Sequence, residues 1–160
     1  MRWWRIADPA YALDRSGQGM AQFGGRWNPR GVPAIYAAES IALASLEKWV
    51  HLSGVMPSRP YALVSIDVPE KAAGLIAVDQ QDLPVDWHAM PSSRAAERLG
   101  ANLLRPDDKG HHLTLGFTIP SVIVQESRNL VLNPLHPGMA AIEMRIEREF
   151  VFDGRMIKGR

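Results

Sequence analysis

Twelve prolines and thirteen glycines are spread through the 160 residues of this chain. Proline interrupts helix and sheet hydrogen bonding, and glycine favours turns, so the chain must be built from many short elements. Between these breaks strands outnumber helices. Trp3 to Ile6 suits a first short strand and Ala34 to Ala38 a buried one. Tyr61 to Val68 sets Ala62, Val64, Ile66 and Val68 against Tyr61, Leu63, Ser65 and Asp67, the period of two of a strand. Leu113 to Ile119 and Ser121 to Gln125 read as two strands interrupted at Pro120. Glu143 to Phe152 alternates Met144, Ile146, Phe150 and Phe152 with charged residues, a half-buried strand. Two helices are expected. One is capped by Ser40 and runs to about Leu52; the other spans Ser93 to Leu104. Ser16 to Asn28 reads as a glycine-rich loop, and Pro69 to Pro91 as a long loop. The sum is an α+β chain with a mostly antiparallel, curled sheet and a few flanking helices.

The bulk numbers exclude several classes. The length suits one domain, residues 1–160, with a real core. A net charge of +1 points to neither nucleic acid nor anionic lipid. The Trp3-Trp4-Arg5 cluster could stack on bases, but no basic stripe accompanies it, so direct nucleic-acid binding is not expected. The absence of cysteine excludes disulfides and thiolate metal sites and fits a reducing cytoplasm. No segment approaches the ~18–20 apolar residues of a membrane span, and the N-terminus lacks the apolar run of a signal peptide. The five histidines show no metal-binding spacing, and no G-x-S-x-G elbow is present.

The chemistry concentrates between Gly24 and Glu47, GGRWNPRGVPAIYAAESIALASLE. Here an arginine, a tyrosine and a glutamate open, centre and close a loop–strand–helix unit. The set suits a nucleotide with a cationic leaving group. An arginine fork can hold a pyrophosphate, an aromatic face can stack on a cationic ring, and a carboxylate can stabilise positive charge on a sugar. On the helix, Ala42, Leu43, Leu46, Trp49 and Val50 form an apolar stripe with Glu47 beside it. Glu47 is then either a carboxylate at the seam of core and cleft, or a solvated flank residue paired with His51. Gly24 and Gly25 let the backbone approach a ligand near Arg26; the alternative is a plain turn with an exposed arginine. Tyr36 could equally be a packing residue, and Ser121, after Pro120, a turn cap. Asn133-Pro134 and His136-Pro137 read as a rigid turn. Neither a phosphate-binding P-loop nor a dinucleotide G-x-G-x-x-G fingerprint is present.

Nearly the whole chain resembles the RES-domain family, the toxin half of RES–Xre toxin–antitoxin pairs. The resemblance is carried by Arg5, by Ser16-Gly17-Gln18-Gly19, and by GGRWNPRG followed by Ile35-Tyr36-Ala37 and Ala44-Ser45-Leu46-Glu47. It continues through Ile119-Pro120-Ser121, Asn129 to Pro134 with His136-Pro137, and Phe152-Asp153-Gly154-Arg155, where glycine stands in place of a common proline. It implies an ADP-ribosyltransferase-like fold and cleavage of NAD⁺ at the nicotinamide–ribose bond. NAD⁺ would be substrate rather than cofactor, with inorganic phosphate as acceptor. Protein ADP-ribosyl transfer and a non-catalytic docking module are the alternatives. Glu47, Arg26, Tyr36 and Ser121 carry over as the catalytic set. Arg5, Arg26, Asn28, Tyr36 and Asn133 are the residues expected to hold NAD⁺. An Xre-like helix-turn-helix antitoxin is the implied partner.

Overall fold

The structure is a computed structural model and describes residues 1–52 and 55–156. Seven strands form one sheet: β1 (Arg2–Ala7), β2 (Ile35–Ala38), β3 (Tyr61–Asp67), β4 (Leu75–Ala77), β5 (Gly116–Pro120), β6 (Arg128–Leu132) and β7 (Glu143–Phe150). Their order is β4-β5-β6-β2-β1-β3-β7. Every neighbouring pair is antiparallel except β4 with β5. Three helices complete the α+β architecture: α1 (Gln18–Phe23), α2 (Ile41–His51) and α3 (Arg94–Leu104).

The helices start where their caps dictate. Ser40 accepts a hydrogen bond from the Leu43 amide and Ser93 from the Ala96 amide, each supplying a partner to an orphan first-turn N–H. On one sheet face, Ile6, Ala38 and Leu63 pack against Leu43 and Ala44 of α2. Farther along, Trp27, Phe117, Ile119 and Val131 pack with Ala96 and Leu104 of α3. A third cluster joins Trp3, Ala7, Ile35, Ala37, Val64 and Leu130 to Met139 and Ile142.

Several elements depart from the sequence reading. The Ser16–Asn28 region contains α1, a single short helix entered from Gly17 at φ 65° with no side-chain cap. Ser121–Gln125 is not a strand; the Ser121 hydroxyl instead accepts from the Ile123 and Val124 amides and turns the chain. The partner strand is β6, which starts at Arg128, and Pro120 closes β5 rather than splitting it. β7 is a largely exposed edge strand, not a half-buried one, with Ile146 49% exposed. A register shift at Leu63/Val64 of β3 breaks the alternation of the pair. The long loop holds β4 and a one-turn 3-10 helix, Gln80–Asp82.

One break in the ladder shapes the site. β1 pairs with β3 along its whole length, from Arg2↔Asp67 to Ala7↔Ala62, but with β2 only at Trp4↔Ala38. The two central strands part beyond Trp4, and Arg5 is the first β1 residue past that last pair.

Candidate active site

Glu47 stands on the inward face of α2. The apolar stripe expected on this helix is rotated: Leu43 and Ala44 are buried, whereas Leu46 and Val50 are exposed. The inward face therefore runs Leu43, Ala44, Glu47, Lys48, which turns the carboxylate toward the sheet. It meets a polar patch there. The fully buried Ser121 donates from Oγ to Glu47 Oε1 at 2.8 Å, and Asn129 Nδ2 donates to the same oxygen at 2.5 Å. The solvated pairing with His51 is not formed. Asn129 has no role in the sequence reading. The one signal it offered is a polar side chain early in the apolar β6 run RNLVL, opposite Ala38 of β2.

The arginine loop packs tightly against Tyr36. The Tyr36 hydroxyl donates to Asn28 Oδ1 at 2.7 Å and accepts from the Trp27 amide at 3.1 Å. The phenol is thereby saturated, and burial pushes its pKa up. The chemistry left to Tyr36 is its ring. Asn28 is fully buried and donates from Nδ2 to Met20 O and Val32 O. Each polar atom of the Asn28 side chain is thus hydrogen-bonded within the loop or to Tyr36. A Cβ on Gly25 would sit 2.8 Å from Asn28 Oδ1 and 2.9 Å from the Tyr36 hydroxyl, so this knot requires glycine. Gly100 of α3 is equally constrained, since a Cβ there would lie 1.9 Å from Trp27 O.

Arg26 leans across to the segment that precedes α3. Its Nη1 donates to Trp87 O at 2.8 Å and Ala89 O at 2.9 Å, and Nη2 contacts Met90 Sδ at 3.0 Å. Burial lowers its pKa, while the negative field of Glu47 and the nearby Tyr36 act in the opposite direction. Arg26, Glu47 and Tyr36 thus share one electrostatic neighbourhood.

Arg5 makes no hydrogen bond to that trio. Its Nη1 is buried without a partner among the described residues, and burial depresses its pKa, offset in part by Asp14. Its positive field reaches Lys48, the residue after Glu47, whose pKa falls through burial first and Arg5 second. A buried guanidinium with an unmet donor suits an anionic ligand. Asn133 lies elsewhere. It follows β6, four residues beyond Asn129 and roughly 13 Å along the strand at ~3.3 Å per residue. Its amide donates to Leu104 O and Thr114 O, its carbonyl accepts from Leu135 N, and it is buried. It ties the end of α3 to the sheet. Among the described residues no cluster of three or more His, Asp or Glu could hold a metal ion, and no helix is long and apolar enough to cross a membrane.

The architecture is an α+β fold, a seven-strand, mostly antiparallel sheet with three helices, and Glu47 of α2 faces it. The same fold is found in the solved Mycobacterium tuberculosis MbcT–MbcA toxin–antitoxin complex, with TM-score 0.64, 20% identity, and coverage of 94% of this chain and 83% of that one. The RES domain family matches residues 2–153, so the chain belongs to the RES domain family. Among its relatives, the Prs ADP-ribosylating toxin of Sphingobium sp. (strain YBL2) is 42% identical over 97% of this chain and 96% of its own length. Toxin Res of Photorhabdus laumondii is 34% identical over 91% and 89%. Toxin Res of Pseudomonas putida is 34% identical over 96% and 97%.

Proposed function

We propose that this chain is the toxin of a toxin–antitoxin pair and that it cleaves NAD⁺ at the nicotinamide–ribose bond, passing the ADP-ribosyl group to an acceptor. The observation that carries this reading is Glu47, a partly buried carboxylate anchored by Ser121 and Asn129, whose field reaches Arg26, the same guanidinium that feels Tyr36. As the C–N bond breaks, its electron pair moves onto the pyridinium nitrogen, and nicotinamide leaves neutral. No acid is needed for the leaving group, so one carboxylate suffices where an ordinary glycosidase uses two. Glu47 would stabilise the oxocarbenium-like sugar by its charge and accept a hydrogen bond from the ribose. Ser121 would hold Glu47 in place. Tyr36 would pack its ring on the nicotinamide or its ribose and keep a reactive conformer. Arg26 and Arg5 would take the pyrophosphate, Arg26 by exchanging its contacts with the Trp87 and Ala89 carbonyls for phosphate oxygens. Asn28 and Asn133 serve this site as supports. The acceptor then forms a bond to the ribose carbon and releases its proton.

Phosphate and protein remain the two acceptors to separate. The 42% identical relative is named for ADP-ribosylation, which gives weight to transfer onto a protein target over the phosphorolysis suggested by the sequence resemblance. The MbcT–MbcA complex pairs a protein of this fold with an antitoxin, which supports an antitoxin as partner here; that it is Xre-like follows from the sequence resemblance alone. Product analysis with labelled NAD⁺ decides the matter. In phosphate buffer, free ADP-ribose phosphate marks phosphorolysis; label on a macromolecule in the presence of cell extract marks transfer. NAD⁺ left intact under both conditions removes the enzymatic reading and leaves a docking module.

A further inference from the structure

Both hydrogen bonds that anchor Glu47 end on one of its oxygens. Ser121 Oγ and Asn129 Nδ2 donate to Oε1, and Oε2 accepts none among the described residues. Because Oε1 can only accept, the amide nitrogen of Asn129 must face it, and the amide oxygen must face away. That oxygen, Asn129 Oδ1, is buried and has no hydrogen-bond partner among the described residues. A buried carbonyl oxygen is costly to leave unmet, and native structures rarely do so without a reason. Two neighbouring side chains therefore carry bare acceptors, Glu47 Oε2 and Asn129 Oδ1, the second shut off from solvent until a ligand or a side-chain movement opens it. An anionic group cannot satisfy them, since it brings only acceptors. A ligand with two adjacent donors can, and a vicinal diol has that arrangement.

We infer that Asn129 is a positioning and specificity-determining residue: its amide nitrogen fixes the Glu47 carboxylate, and its amide oxygen accepts a hydrogen bond from one hydroxyl of the nicotinamide ribose. Glu47 Oε2 takes the neighbouring hydroxyl. The inference rests on the NAD⁺ reading above and adds to it a residue and a selection rule. Ser121 contributes only to the anchor, because its hydroxyl proton is committed to Oε1 and its oxygen already accepts from the Ile123 and Val124 amides.

The test compares wild type with Asn129→Ala on NAD⁺ and on two analogues, each lacking one hydroxyl of the nicotinamide ribose. Wild type should lose roughly 10- to 100-fold in kcat/KM on either analogue, the scale of a buried acceptor left unpaired. In Asn129→Ala the penalty for one particular hydroxyl should shrink to within about 3-fold, while the penalty for the other persists. If the variant does not fold, Asn129→Leu, which is close in size and also removes both polar atoms, takes its place. Equal penalties in wild type and variant for both hydroxyls would overturn the inference, because a purely structural asparagine slows all three substrates alike. The same comparison made by calorimetry with ADP-ribose and its deoxy forms separates the two levels. A protein that leaves NAD⁺ intact yet shows this hydroxyl dependence in binding keeps the subsite and loses the reaction. One that binds none of them loses both.

Discussion

Asn28 and Asn129 each bond to a candidate site residue, Tyr36 and Glu47, and they are satisfied to opposite degrees. Asn28 has its carbonyl on the Tyr36 hydroxyl and its amide on the Met20 and Val32 carbonyls. Asn129 has its amide on Glu47 and its carbonyl on nothing among the described residues. The same contrast extends around each residue. On the loop side the polar groups of Asn28, Tyr36 and the Trp27 amide close on one another, and glycines at 25 and 100 let backbone and side chains touch. On the helix side Glu47 Oε2, Asn129 Oδ1 and Arg5 Nη1 have no partner among the described residues. A polar group that is buried and paired holds the fold; one that is buried and unpaired is held for something else. Arg26 sits between these regimes, paired with backbone carbonyls that a phosphate could replace.

The sharpest way to break this division is at Glu47. Glu47→Gln keeps the shape and an oxygen for Ser121 and Asn129, and removes the charge. NAD⁺ turnover should fall on the order of 10²- to 10³-fold, the size of a lost transition-state electrostatic contact. The melting temperature should stay within a few degrees. Activity within a few-fold of wild type would put Glu47 on the scaffold side of the division. The loop side should respond in reverse order, stability first. Asn28→Ala strands the Tyr36 hydroxyl and two carbonyls in a buried site, and about 2–4 kcal/mol of unfolding free energy should be lost. Urea unfolding measures it.

Much of the fold is legible in the chain itself. Ser40 and Ser93 announce their helices, because a serine hydroxyl is the cheapest partner for an orphan first-turn amide. The Tyr61–Val68 alternation announces β3 because both neighbours of that strand are fixed by pairing. Arg26, Tyr36, Glu47 and Ser121 come from the family resemblance, and the structure joins Ser121 to Glu47 and brings Arg26 into the field of Glu47 and Tyr36. What the chain hides is whether a polar atom is spent. Asn28 and Asn133 look like ligand residues in sequence, and only the packed structure shows their amides consumed by Met20, Val32, Leu104 and Thr114 carbonyls. Asn129 looks like an ordinary strand polar residue, because its partner Glu47 is 82 positions away. The orientation of α2 was hidden for a related reason. Its apolar residues Leu46 and Val50 face outward, and the face turned to the sheet mixes the buried Leu43 and Ala44 with Glu47.

Tyr36→Phe probes the boundary with a smaller effect. The hydroxyl ties Trp27 and Asn28, so about 1–2 kcal/mol of stability should go. The ring remains, and if the ring is what meets the substrate, turnover should change by no more than about 3-fold. A loss of 100-fold with unchanged stability would instead make the hydroxyl a reacting group and overturn its assignment to the scaffold.

The smallest effect tests whether saturation matters away from the interior. Asp67, at the far end of β3, accepts from Arg2 and Arg145 and bridges β1, β3 and β7. It is as fully paired as Asn28, but its arginines are about half exposed. The Arg2 hydrogen bonds, with help from Arg145, pull its pKa down from 3.8 to about 2. A depressed carboxylate stabilises the fold above its ordinary pKa, and that contribution fades as pH falls from 3.8 through about 2. Solvent screening keeps it small, under about 1 kcal/mol. Asp67→Asn should therefore cost little at pH 7, flatten the acid limb of unfolding below pH 4, and lose its effect in about 1 M salt. If the cost at neutral pH matched that of Asn28→Ala, pairing alone would set the energy. The expected gap between the two makes burial the deciding variable, the same variable that makes the unpaired oxygen of Asn129 informative.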